Sequence, residues 1–578
     1  MSVGRAEPLL SVEGLSVRAG ADRLVRNIDF SISRGERVGL IGESGSGKSL
    51  TCLSVIGLLG PGLHADGRVT LHGGPQPVDL LTAQEKQMAT LRGDRISMVF
   101  QEPMTALNPL MKVGDQLTES LRIHQPRTTD RRLRMLELLS SVRIPEPARA
   151  ATVYPHQMSG GQRQRVMLAM AMANEPDLLL ADEPTTALDV TVQKQALNLM
   201  TEQVRRAGSS LLFVTHDLGV VSEVCDRVII MRHGQIVESG PLDRVFTAPE
   251  HPYTRALMAA SALETHPATR RLVTVDGPPP ERPDPVETPV PPAGAGAGAV
   301  QHETLTEGGS SPVFNEVEDP ALRVRDLTRT YGSPGLLGRG RTVRALRGVS
   351  FDVAAGQRFG IVGESGCGKS TLLRLLTALD DPSSGQVEVS GQVISRRREK
   401  QLRWLRETMQ IVFQDPMGSL DPRMAVEDII TEPLRTASRT ERSRRVDELL
   451  QQVGLPLSSA AKHPHEFSGG QRQRIAIARA LVTKPEILIA DEAVSALDVS
   501  VRAQVLNLLD DLVEEYRLTL VFVSHDLNVV RHSCDVVAVM KAGNIVECGP
   551  SADVLESPQH PYTKELVSAI PRLRDKVR

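Results

Sequence analysis

The sequence is poor in paired cysteines and in long apolar runs, and each absence argues against a class of protein. Its five cysteines include no Cys-x-x-Cys pair, which argues against a zinc site and indicates reduced thiols rather than disulfides. They are Cys52, Cys225, Cys367, Cys534 and Cys548. No stretch approaches the roughly 18 to 20 apolar residues that a transmembrane helix needs, and residues 1–8 lack the apolar core of a signal peptide. We therefore expect a soluble protein that reaches any membrane through partners.

Net charge is also nearly absent. The formal value of −3 over 578 residues gives no support for a surface that binds nucleic acid, so no nucleic-acid partner is expected. A chain of this length is too long for one ordinary hydrophobic core, and at least two domains are expected.

The two halves of the chain are copies of each other. Lys48 and Lys369 are 321 positions apart, and four further pairs share a separation of 309 positions. Those pairs are Ser159 and Ser468, Asp182 and Asp491, His216 and His525, and His251 and His560. The first copy therefore carries its extra residues only between Lys48 and Ser159, and the rest of the two copies is in strict register.

A segment rich in proline, glycine and alanine separates the copies, from about residue 277 to residue 311. It lacks the apolar residues that form a core, so we interpret it as a flexible linker with a root-mean-square span of about 30 to 35 Å. This interpretation predicts a first domain at residues 8–262, a linker at residues 277–315 and a second domain at residues 320–571.

Each copy contains the pattern Gly-x-x-x-x-Gly-Lys-Ser between an apolar run and a helix-like stretch, at residues 42–49 and 363–370. The glycines allow backbone N–H groups to turn onto phosphate oxygens, the lysine neutralises the phosphates, and the serine hydroxyl can bind Mg²⁺. The sequence therefore predicts two phosphate-binding loops. The predicted contacts are Gly42, Ser44, Gly45, Gly47, Lys48 and Ser49 in the first loop and Gly363, Ser365, Gly366, Gly368, Lys369 and Ser370 in the second.

Adjacent carboxylates follow an apolar run in both copies, as Asp182-Glu183 and Asp491-Glu492. Alone, such a pair is usually a strand leaving the core. Beside a phosphate-binding loop, we expect the aspartate to bind Mg²⁺ and the glutamate to polarise the attacking water.

His216 and His525 each follow a further apolar run. A lone histidine at a strand end is more often structural than catalytic, but its presence in both copies favours a sensor of the γ-phosphate. Metal ligation is not expected, because no second histidine or cysteine lies at ligand spacing.

A helix-like stretch in each copy begins with the same eight-residue pattern. The pattern is one apolar residue followed by Ser-Gly-Gly-Gln-Arg-Gln-Arg. The serine is a good N-cap, and the Gly-Gly backbone can approach an anion closely. A capped helix start would explain the serine and the glycines but not the whole repeat. The predicted anion contacts are Ser159, Gly160, Gly161 and Gln162, and Ser468, Gly469, Gly470 and Gln471.

Apolar, uncharged runs alternate with helix-like stretches through each copy. Leu178–Ala181 and Leu211–Val214 have the pattern of buried parallel strands, and Ile96–Gln101 that of a strand ending on a glutamine. The charged stretch Thr128–Arg143 has apolar residues on one face, as in a helix. This alternation predicts an α/β fold with a mainly parallel sheet.

Together the motifs resemble those of the ATP-binding cassette ATPases, whose signature is the Ser-Gly-Gly-Gln sequence. Both copies also carry the family's Ala-Leu-Asp element, at Asp189 and Asp498, and its loop glutamine, at Gln101 and Gln414. The resemblance implies two tandem P-loop ATPase domains of the α/β class. Each would have a mainly parallel core sheet, an antiparallel β subdomain and a helical subdomain that carries the signature. It also implies ATP and Mg²⁺ as cofactors, with both glutamines as nucleotide and metal ligands.

The same resemblance implies that the two copies pair head to tail within the chain. Each ATP would then lie between the phosphate-binding loop of one copy and the signature of the other. Lys48 would share a site with residues 468–471, and Lys369 would share one with residues 159–162.

A narrower resemblance rests on residues 101–109 and 414–422, which are similar to the glutamine-loop segment of the dipeptide, oligopeptide and nickel importer ATPases. The His-Pro-Tyr-Thr segments at residues 251–254 and 560–563 match a segment that follows the cassette in that subfamily. The resemblance implies two integral membrane permease subunits as direct partners and an extracytoplasmic solute-binding protein as an indirect one. It places the chain on the cytoplasmic face of the membrane. Peptides are the favoured cargo, with nickel, glutathione or another small solute left open.

The sequence departs from the family at three points. Many members of the subfamily have a cysteine cluster after the His-Pro-Tyr segment, and its absence here predicts no iron–sulfur cluster. The aromatic residue that stacks on adenine is Tyr331 in the second copy, whereas the first copy has no aromatic between Ala19 and Phe30. We therefore expect weaker ATP binding at the first site, by about 1 to 3 kcal/mol. Ala493 stands where the first copy has Pro184, and we expect the backbone to adjust there without loss of catalysis.

Two alternatives remain at this point. A two-cassette ATPase that acts on ribosomes or nucleic acid would be expected to have a charged helical linker, zinc-binding cysteines or a coiled-coil insertion, and the sequence has none. An exporter would often carry its own membrane spans.

Overall fold

The structure, a computed structural model, describes residues 8–570 apart from 101–105, 125–129, 186–189, 267–268, 270, 276–316, 333–341, 435–436 and 496. The predicted linker at residues 277–315 therefore lies wholly outside the described residues.

The first copy alternates strands and helices along the chain. Its strands are β1 (Pro8–Ala19), β2 (Asp22–Ser33), β3 (Arg37–Ile41), β4 (Leu63–Leu71), β5 (Val78–Asp79), β6 (Ile96–Val99), β7 (Leu178–Asp182), β8 (Ser210–Thr215), β9 (Arg227–Arg232) and β10 (Gln235–Pro241). Its helices are α1 (Lys48–Ile56), α2 (Glu85–Leu91), α3 (Val113–His124), α4 (Arg131–Ser141), α5 (Pro147–Ala150), α6 (Gly160–Ala171), α7 (Val190–Ala207), α8 (Leu218–Val224), α9 (Leu242–Thr247) and α10 (Pro252–Ser261).

The second copy repeats this order. Its strands are β11 (Pro320–Tyr331), β12 (Val343–Ala354), β13 (Arg358–Val362), β14 (Ser384–Val389), β15 (Gln392–Val393), β16 (Met409–Val412), β17 (Ile487–Asp491), β18 (Thr519–Ser524), β19 (Val536–Lys541) and β20 (Asn544–Pro550). Its helices are α11 (Lys369–Leu376), α12 (Arg403–Thr408), α13 (Pro416–Ser419), α14 (Val426–Thr431), α15 (Arg439–Gln452), α16 (Gly469–Leu481), α17 (Val499–Tyr516), α18 (Leu527–Ser533), α19 (Ser551–Glu556) and α20 (Pro561–Ser568).

Each copy has a six-stranded sheet and a four-stranded sheet. The larger sheet of the first copy has the order β10-β9-β3-β8-β7-β6, in which only the β9–β10 pair is antiparallel. The smaller sheet is antiparallel, with the order β2-β1-β4-β5. The second copy has the same two sheets in the same order. The prediction of an α/β fold with a mainly parallel core sheet and an antiparallel β subdomain is confirmed.

The apolar runs become strands because both faces of the larger sheet are covered. Every residue of β7 and β8 is buried, which explains why these strands read as continuous apolar runs rather than as alternating patterns. Helices α3 to α6 lie between β6 and β7 in the chain and form the helical subdomain. Its last helix, α6, begins at the signature. The stretch predicted as the helix Thr128–Arg143 is helical over Arg131–Ser141, because Asp130 caps its start by accepting a hydrogen bond from the N–H of Leu133 at 2.9 Å.

The two copies contact each other through the last helix of one copy and the long helix between β7 and β8, or between β17 and β18, of the other. Helix α10 of the first copy packs against α17 of the second. In the reciprocal contact, Lys194 Nζ on α7 donates a hydrogen bond to the carbonyl oxygen of Ser568, at the end of α20, at 2.8 Å. Leu272, in the segment that follows the first copy, lies in the hydrophobic core of the second, and Val499 of the second lies in that of the first.

Among the described residues, no helix combines the length and the apolarity required to cross a membrane.

Candidate active sites

The two phosphate-binding loops have the same geometry around their lysines. Lys48 is buried, and its Nζ donates hydrogen bonds to the carbonyl oxygens of Gly42 and Glu43, both at 2.8 Å. Lys369 makes the same two bonds in the second loop, at 2.6 and 3.0 Å. Each ammonium group is thus held within the turn of its own loop, at the start of a helix.

Two positions in each loop require glycine for steric reasons. Gly47 and Gly368 precede the helices with φ of 100° and 114°, a backbone conformation that side chains disfavour. At Gly42 a Cβ atom would lie 2.3 Å from the carbonyl oxygen of Met231, on the neighbouring strand β9. Gly363 has the same close approach in the second copy, also at 2.3 Å. The loop therefore lies directly against the adjacent strand.

The parallel sheet brings the predicted carboxylates and histidine of each copy to its phosphate-binding loop. Strands β3, β8 and β7 are consecutive parallel neighbours, so their carboxyl ends meet at one edge of the sheet. The loop follows β3, Asp182 ends β7, and His216 follows β8. The second copy repeats this arrangement with β13, β17 and β18. Residues far apart in sequence thus form one site in each copy.

In both copies the histidine is paired with the predicted catalytic glutamate. His216 Nδ1 lies 3.2 Å from Glu183 Oε1, and His525 Nδ1 lies 3.1 Å from Glu492 Oε2. In the second copy, Gln414 Nε2 also donates to Glu492 Oε2, at 2.8 Å. The structure therefore joins Gln414, Glu492 and His525 in one hydrogen-bonded group.

Burial and charge shape the first site. Burial lowers the pKa of Lys48, while the carboxylates of Glu183, Asp182 and Asp498 oppose that change. Burial raises the pKa of Asp182, against the effect of its hydrogen bond with Ser49. The site thus places the buried ammonium group of Lys48 beside carboxylates. The ammonium group can bind a phosphate, and the carboxylates can bind the metal ion that accompanies it.

The second site has the same character. Burial, with the neighbouring charge of Glu492, raises the pKa of Asp491 to about 6. Burial alone would raise the pKa of Glu492, but the hydrogen bond with His525, the charge of His525 and the charge of Lys369 together lower it. Glu492 is therefore kept in the carboxylate form that a proton acceptor needs.

The donor set at this edge of the sheet suits Mg²⁺. Ser49 Oγ and Asp182 Oδ1 lie 3.1 Å apart and are both hard oxygen donors. Among the described residues, no group of three or more His, Cys, Asp or Glu side chains could hold a metal ion. Mg²⁺ usually takes only one or two protein ligands and completes its shell with water and substrate phosphates, so two donors are enough.

The signature serines cap their helices in the way the sequence predicts. Ser159 Oγ accepts a hydrogen bond from the N–H of Gln162 at 3.3 Å, and Gln162 Oε1 accepts one from the N–H of Ser159 at 3.0 Å. Ser468 and Gln471 form the same reciprocal pair. The N-terminus of each signature helix is thereby fixed. Contact of these residues with an anion stays a prediction.

Part of the second copy reaches the first site. Asp498 caps α17 by accepting a hydrogen bond from the N–H of Val501 at 3.0 Å, and its charge acts on Lys48 of the first copy. This relationship is the one expected if the copies pair head to tail.

Some predicted site residues lie outside the described residues or stay untested. Gln101 and Asp189 fall in the segments that the structure does not describe. Tyr331 lies at the end of β11, where its hydroxyl donates to Asp380 Oδ2 at 2.9 Å and the guanidinium of Arg329 lies 4.7 Å from its ring centre. Its stacking on adenine stays a prediction.

The expected backbone adjustment at Ala493 stays a prediction, while the residue before it has the same conformation in both copies. Glu183, which precedes Pro184, has φ of 44°, and Glu492, which precedes Ala493, has φ of 46°. Each glutamate N–H donates to a carbonyl of the neighbouring strand at 2.9 Å, so the sheet holds the glutamate in this conformation in both copies.

The sequence reasoning missed two sets of contacts. It assigned the glutamates and histidines separate roles, although their constant separation of 33 positions in both copies was a signal that they pair. It also used the His-Pro-Tyr segment only as a family marker. In the structure the hydroxyls of Tyr253 and Tyr562 reach the two phosphate-binding loops.

Comparison with known proteins agrees with this geometry. The sequence profile of the ABC transporter family matches residues 25–186 and 346–495. The profile described as "Oligopeptide/dipeptide transporter, C-terminal region" matches residues 237–289 and 546–578. Both profiles thus match twice, once in each copy.

Curated relatives match nearly the whole chain. The glutathione import ATP-binding protein GsiA of Pectobacterium atrosepticum is 45% identical, over 95% of this chain and 86% of its own length. The protein of the same name from Escherichia coli is 44% identical, over 97% of this chain and 89% of its own length. Among solved structures, cbiO1 from Clostridium perfringens, described as part of the ABC transporter complex cbiONQ, is 32% identical over 42% of this chain and 92% of its own, with a TM-score of 0.37. The chain belongs to the ABC transporter family, as an ATP-hydrolysing, two-cassette ATP-binding protein with the C-terminal regions of oligopeptide/dipeptide transporters.

Proposed function

We propose that this chain is the energy-coupling subunit of an importer for short peptides and related small solutes. The observation that carries the proposal is the repetition of one complete ATPase site in each copy, followed each time by the region typical of oligopeptide/dipeptide transporters. The copies would bind two permease subunits at the cytoplasmic face of the membrane, and an extracytoplasmic binding protein would deliver the cargo. We further propose the domain bounds 8–262 and 320–571, with residues 277–315 as the linker.

In this proposal ATP binding closes the two copies on each other and hydrolysis reopens them. Lys48 and Lys369 neutralise the phosphates, and Ser49 with Asp182 would hold Mg²⁺ in one site, as Ser370 with Asp491 would in the other. The serine–aspartate distance of 3.1 Å supports that assignment.

Water attack would depend on the glutamate of each site. Glu183 and Glu492 accept the proton of the attacking water, and His216 and His525 orient these carboxylates and sense the γ-phosphate. The distances of 3.2 and 3.1 Å between histidine and glutamate support these roles.

Glutathione is the first cargo to test. The relatives at 44 to 45% identity are named for glutathione import, and glutathione is itself a tripeptide, in agreement with the peptide-type C-terminal regions. Larger peptides and nickel are the alternatives within the same class of importer.

A pull-down from detergent-solubilised native membranes tests the proposal. The tagged chain is expected to bring down two multi-span permeases together with a solute-binding protein. Binding of glutathione, dipeptides, oligopeptides and Ni²⁺ to that isolated protein, measured by calorimetry, would then identify the cargo. Recovery of ribosomes or nucleic acid without any permease would contradict the importer.

A further inference from the structure

Both His-Pro-Tyr segments end in a tyrosine that reaches the phosphate-binding loop of its own copy. The N–H of Glu43 donates a hydrogen bond to Tyr253 Oη at 3.3 Å, and the N–H of Glu364 donates one to Tyr562 Oη at 3.2 Å. Both tyrosines are buried, with 2 and 3% of their surface exposed. The contact is thus a repeated feature of the fold rather than an accident of one copy.

The tyrosine hydroxyl accepts a hydrogen bond from the N–H of a peptide group, and the carbonyl oxygen of the same peptide group accepts one from the lysine. Glu43 N–H and Gly42 C=O belong to a single peptide unit, and Gly42 O accepts the hydrogen bond from Lys48 Nζ. In the second copy, the unit between Gly363 and Glu364 is held in the same way. Because a peptide unit is planar, fixing its N–H fixes the direction of its carbonyl and therefore the place of the ammonium group.

The rest of the segment holds the tyrosine in place. His251 accepts a hydrogen bond from the N–H of Tyr253 at its Nδ1, at 3.2 Å, and proline occupies the first turn of α10. The carboxylate of Glu238, on β10, accepts hydrogen bonds from the N–H groups of Glu250 and His251, at 2.8 and 3.1 Å. Each residue of the His-Pro-Tyr motif thereby has a structural role: the histidine caps α10, the proline begins it, and the tyrosine reaches the loop.

The second copy repeats this support with one different cation. Glu547 accepts the corresponding backbone bonds at 2.8 and 3.1 Å, and His560 caps α20 through the N–H of Tyr562 at 3.2 Å. Lys541 Nζ lies 4.3 Å from the centre of the Tyr562 ring, where the first copy has Arg232 at 4.7 Å from the centre of the Tyr253 ring. A cation from the last residue of the neighbouring strand therefore covers the ring in both copies.

We propose that Tyr253 and Tyr562 are positioning residues of the two ATP sites, whose hydroxyls fix the loop peptide that places Lys48 or Lys369 for the nucleotide phosphates. Helix α10, which begins just before Tyr253, packs against α17 of the opposite copy. The His-Pro-Tyr segment thus connects each phosphate-binding loop to the helices at the contact between copies. The inference concerns the ATP sites alone and does not depend on the cargo.

Removal of the hydroxyl alone tests the proposal in the full chain. Tyr253→Phe keeps the ring and its cation contact, and we expect it to weaken ATP binding at the first site by about 3- to 10-fold, the effect of one lost hydrogen bond. KM for ATP should rise accordingly, with kcat changed less than KM. Tyr562→Phe should act in the same way on the second site. Tyr516→Phe is the matched control, because it removes a hydroxyl that donates to Gln452 Oε1 at 2.8 Å away from either loop.

A double-mutant cycle separates positioning from a general effect on folding. Since the tyrosine is proposed to act through the lysine, Tyr253→Phe should cause no further loss of ATP affinity in a Lys48→Ala background. Thermal unfolding of each variant is measured in parallel. The proposal is overturned if Tyr253→Phe lowers stability while ATP affinity at the first site is unchanged. It is also overturned if the losses from the two substitutions simply add.

Discussion

The side chain of Asn507 binds both backbone hydrogen-bonding groups of Leu272, in the segment that leaves the first copy. Its Oδ1 accepts from the N–H of Leu272 at 2.9 Å, and its Nδ2 donates to the carbonyl oxygen at 3.0 Å. Arg271 and Asp511 form an ion pair beside this contact. The chain that leaves the first copy is thus fixed on α17, the helix whose first turn lies near the first ATP site.

Asn507→Ala should loosen this contact between the copies. It leaves the two backbone groups of the buried Leu272 without their side-chain partner, at a cost of about 1 to 3 kcal/mol in the free energy of unfolding. Urea unfolding measures the loss, and hydrogen exchange at the Leu272 amide should become faster. Asn198→Ala is the control, because Asn198 is the equivalent residue of the first copy and is exposed. Equal effects of the two substitutions would contradict the assigned contact.

Gly42→Ala should abolish nucleotide binding at the first site. The new Cβ would lie 2.3 Å from the carbonyl oxygen of Met231, so the loop must move away from β9. Gly60→Ala is the control, because no atom lies within 4 Å of the Cβ position there, and its effect should stay within about 0.5 kcal/mol. Equilibrium binding of a fluorescent ATP analogue compares the variants. Normal binding by Gly42→Ala would show that the loop is less constrained than the structure indicates.

His525→Ala should reduce the ATPase rate of the second site by about 10²- to 10⁴-fold, the range for loss of general-base assistance, because Glu492 would no longer be oriented as the base. The substitution removes the hydrogen bond at 3.1 Å that holds Glu492 and helps to lower the pKa of its carboxyl group against the effect of burial. His532→Ala is the control in the same copy, because His532 also pairs with a carboxylate, Asp510 at 3.5 Å, but outside the site. Single-turnover kinetics with ATP bound beforehand separates the chemical step from binding. An unchanged rate for His525→Ala would contradict the role of the pair.

Tyr331→Ala should weaken ATP binding at the second site by about 1 to 3 kcal/mol, the value of a lost aromatic stack. Tyr331→Phe keeps the ring and loses only the hydrogen bond with Asp380, so it should bind ATP more tightly than Tyr331→Ala. The two copies are labelled with a photoreactive azido-ATP and then separated by cleavage at a protease site engineered between residues 277 and 315. The amount of label on each fragment measures ATP binding by that copy. In the wild type the first copy should label more weakly. Equal labelling, or undiminished labelling of Tyr331→Ala, would refute the predicted asymmetry.

The sequence predicts the sites better than it predicts what supports them. Asp182, His216 and the loop at Lys48 could be placed together because each follows an apolar run, and parallel strands carry such positions to one edge of a sheet. The contact of Tyr253 with Glu43 spans 210 positions, and that of Asn507 with Leu272 spans 235. Both depend on how a helix packs after the sheet has formed. No local pattern of residues encodes such packing.

The central claim is that each copy hydrolyses ATP through its own glutamate, Glu183 or Glu492. The most direct measurement is ATP turnover by the chain carrying Glu183→Gln and Glu492→Gln together, compared with Glu202→Gln, which changes an exposed carboxylate paired with Arg143 at 2.9 Å. We predict that the double variant loses nearly all hydrolysis but still binds ATP and stays in the closed state, while Glu202→Gln turns over normally. Turnover of the double variant at the wild-type rate would contradict the account.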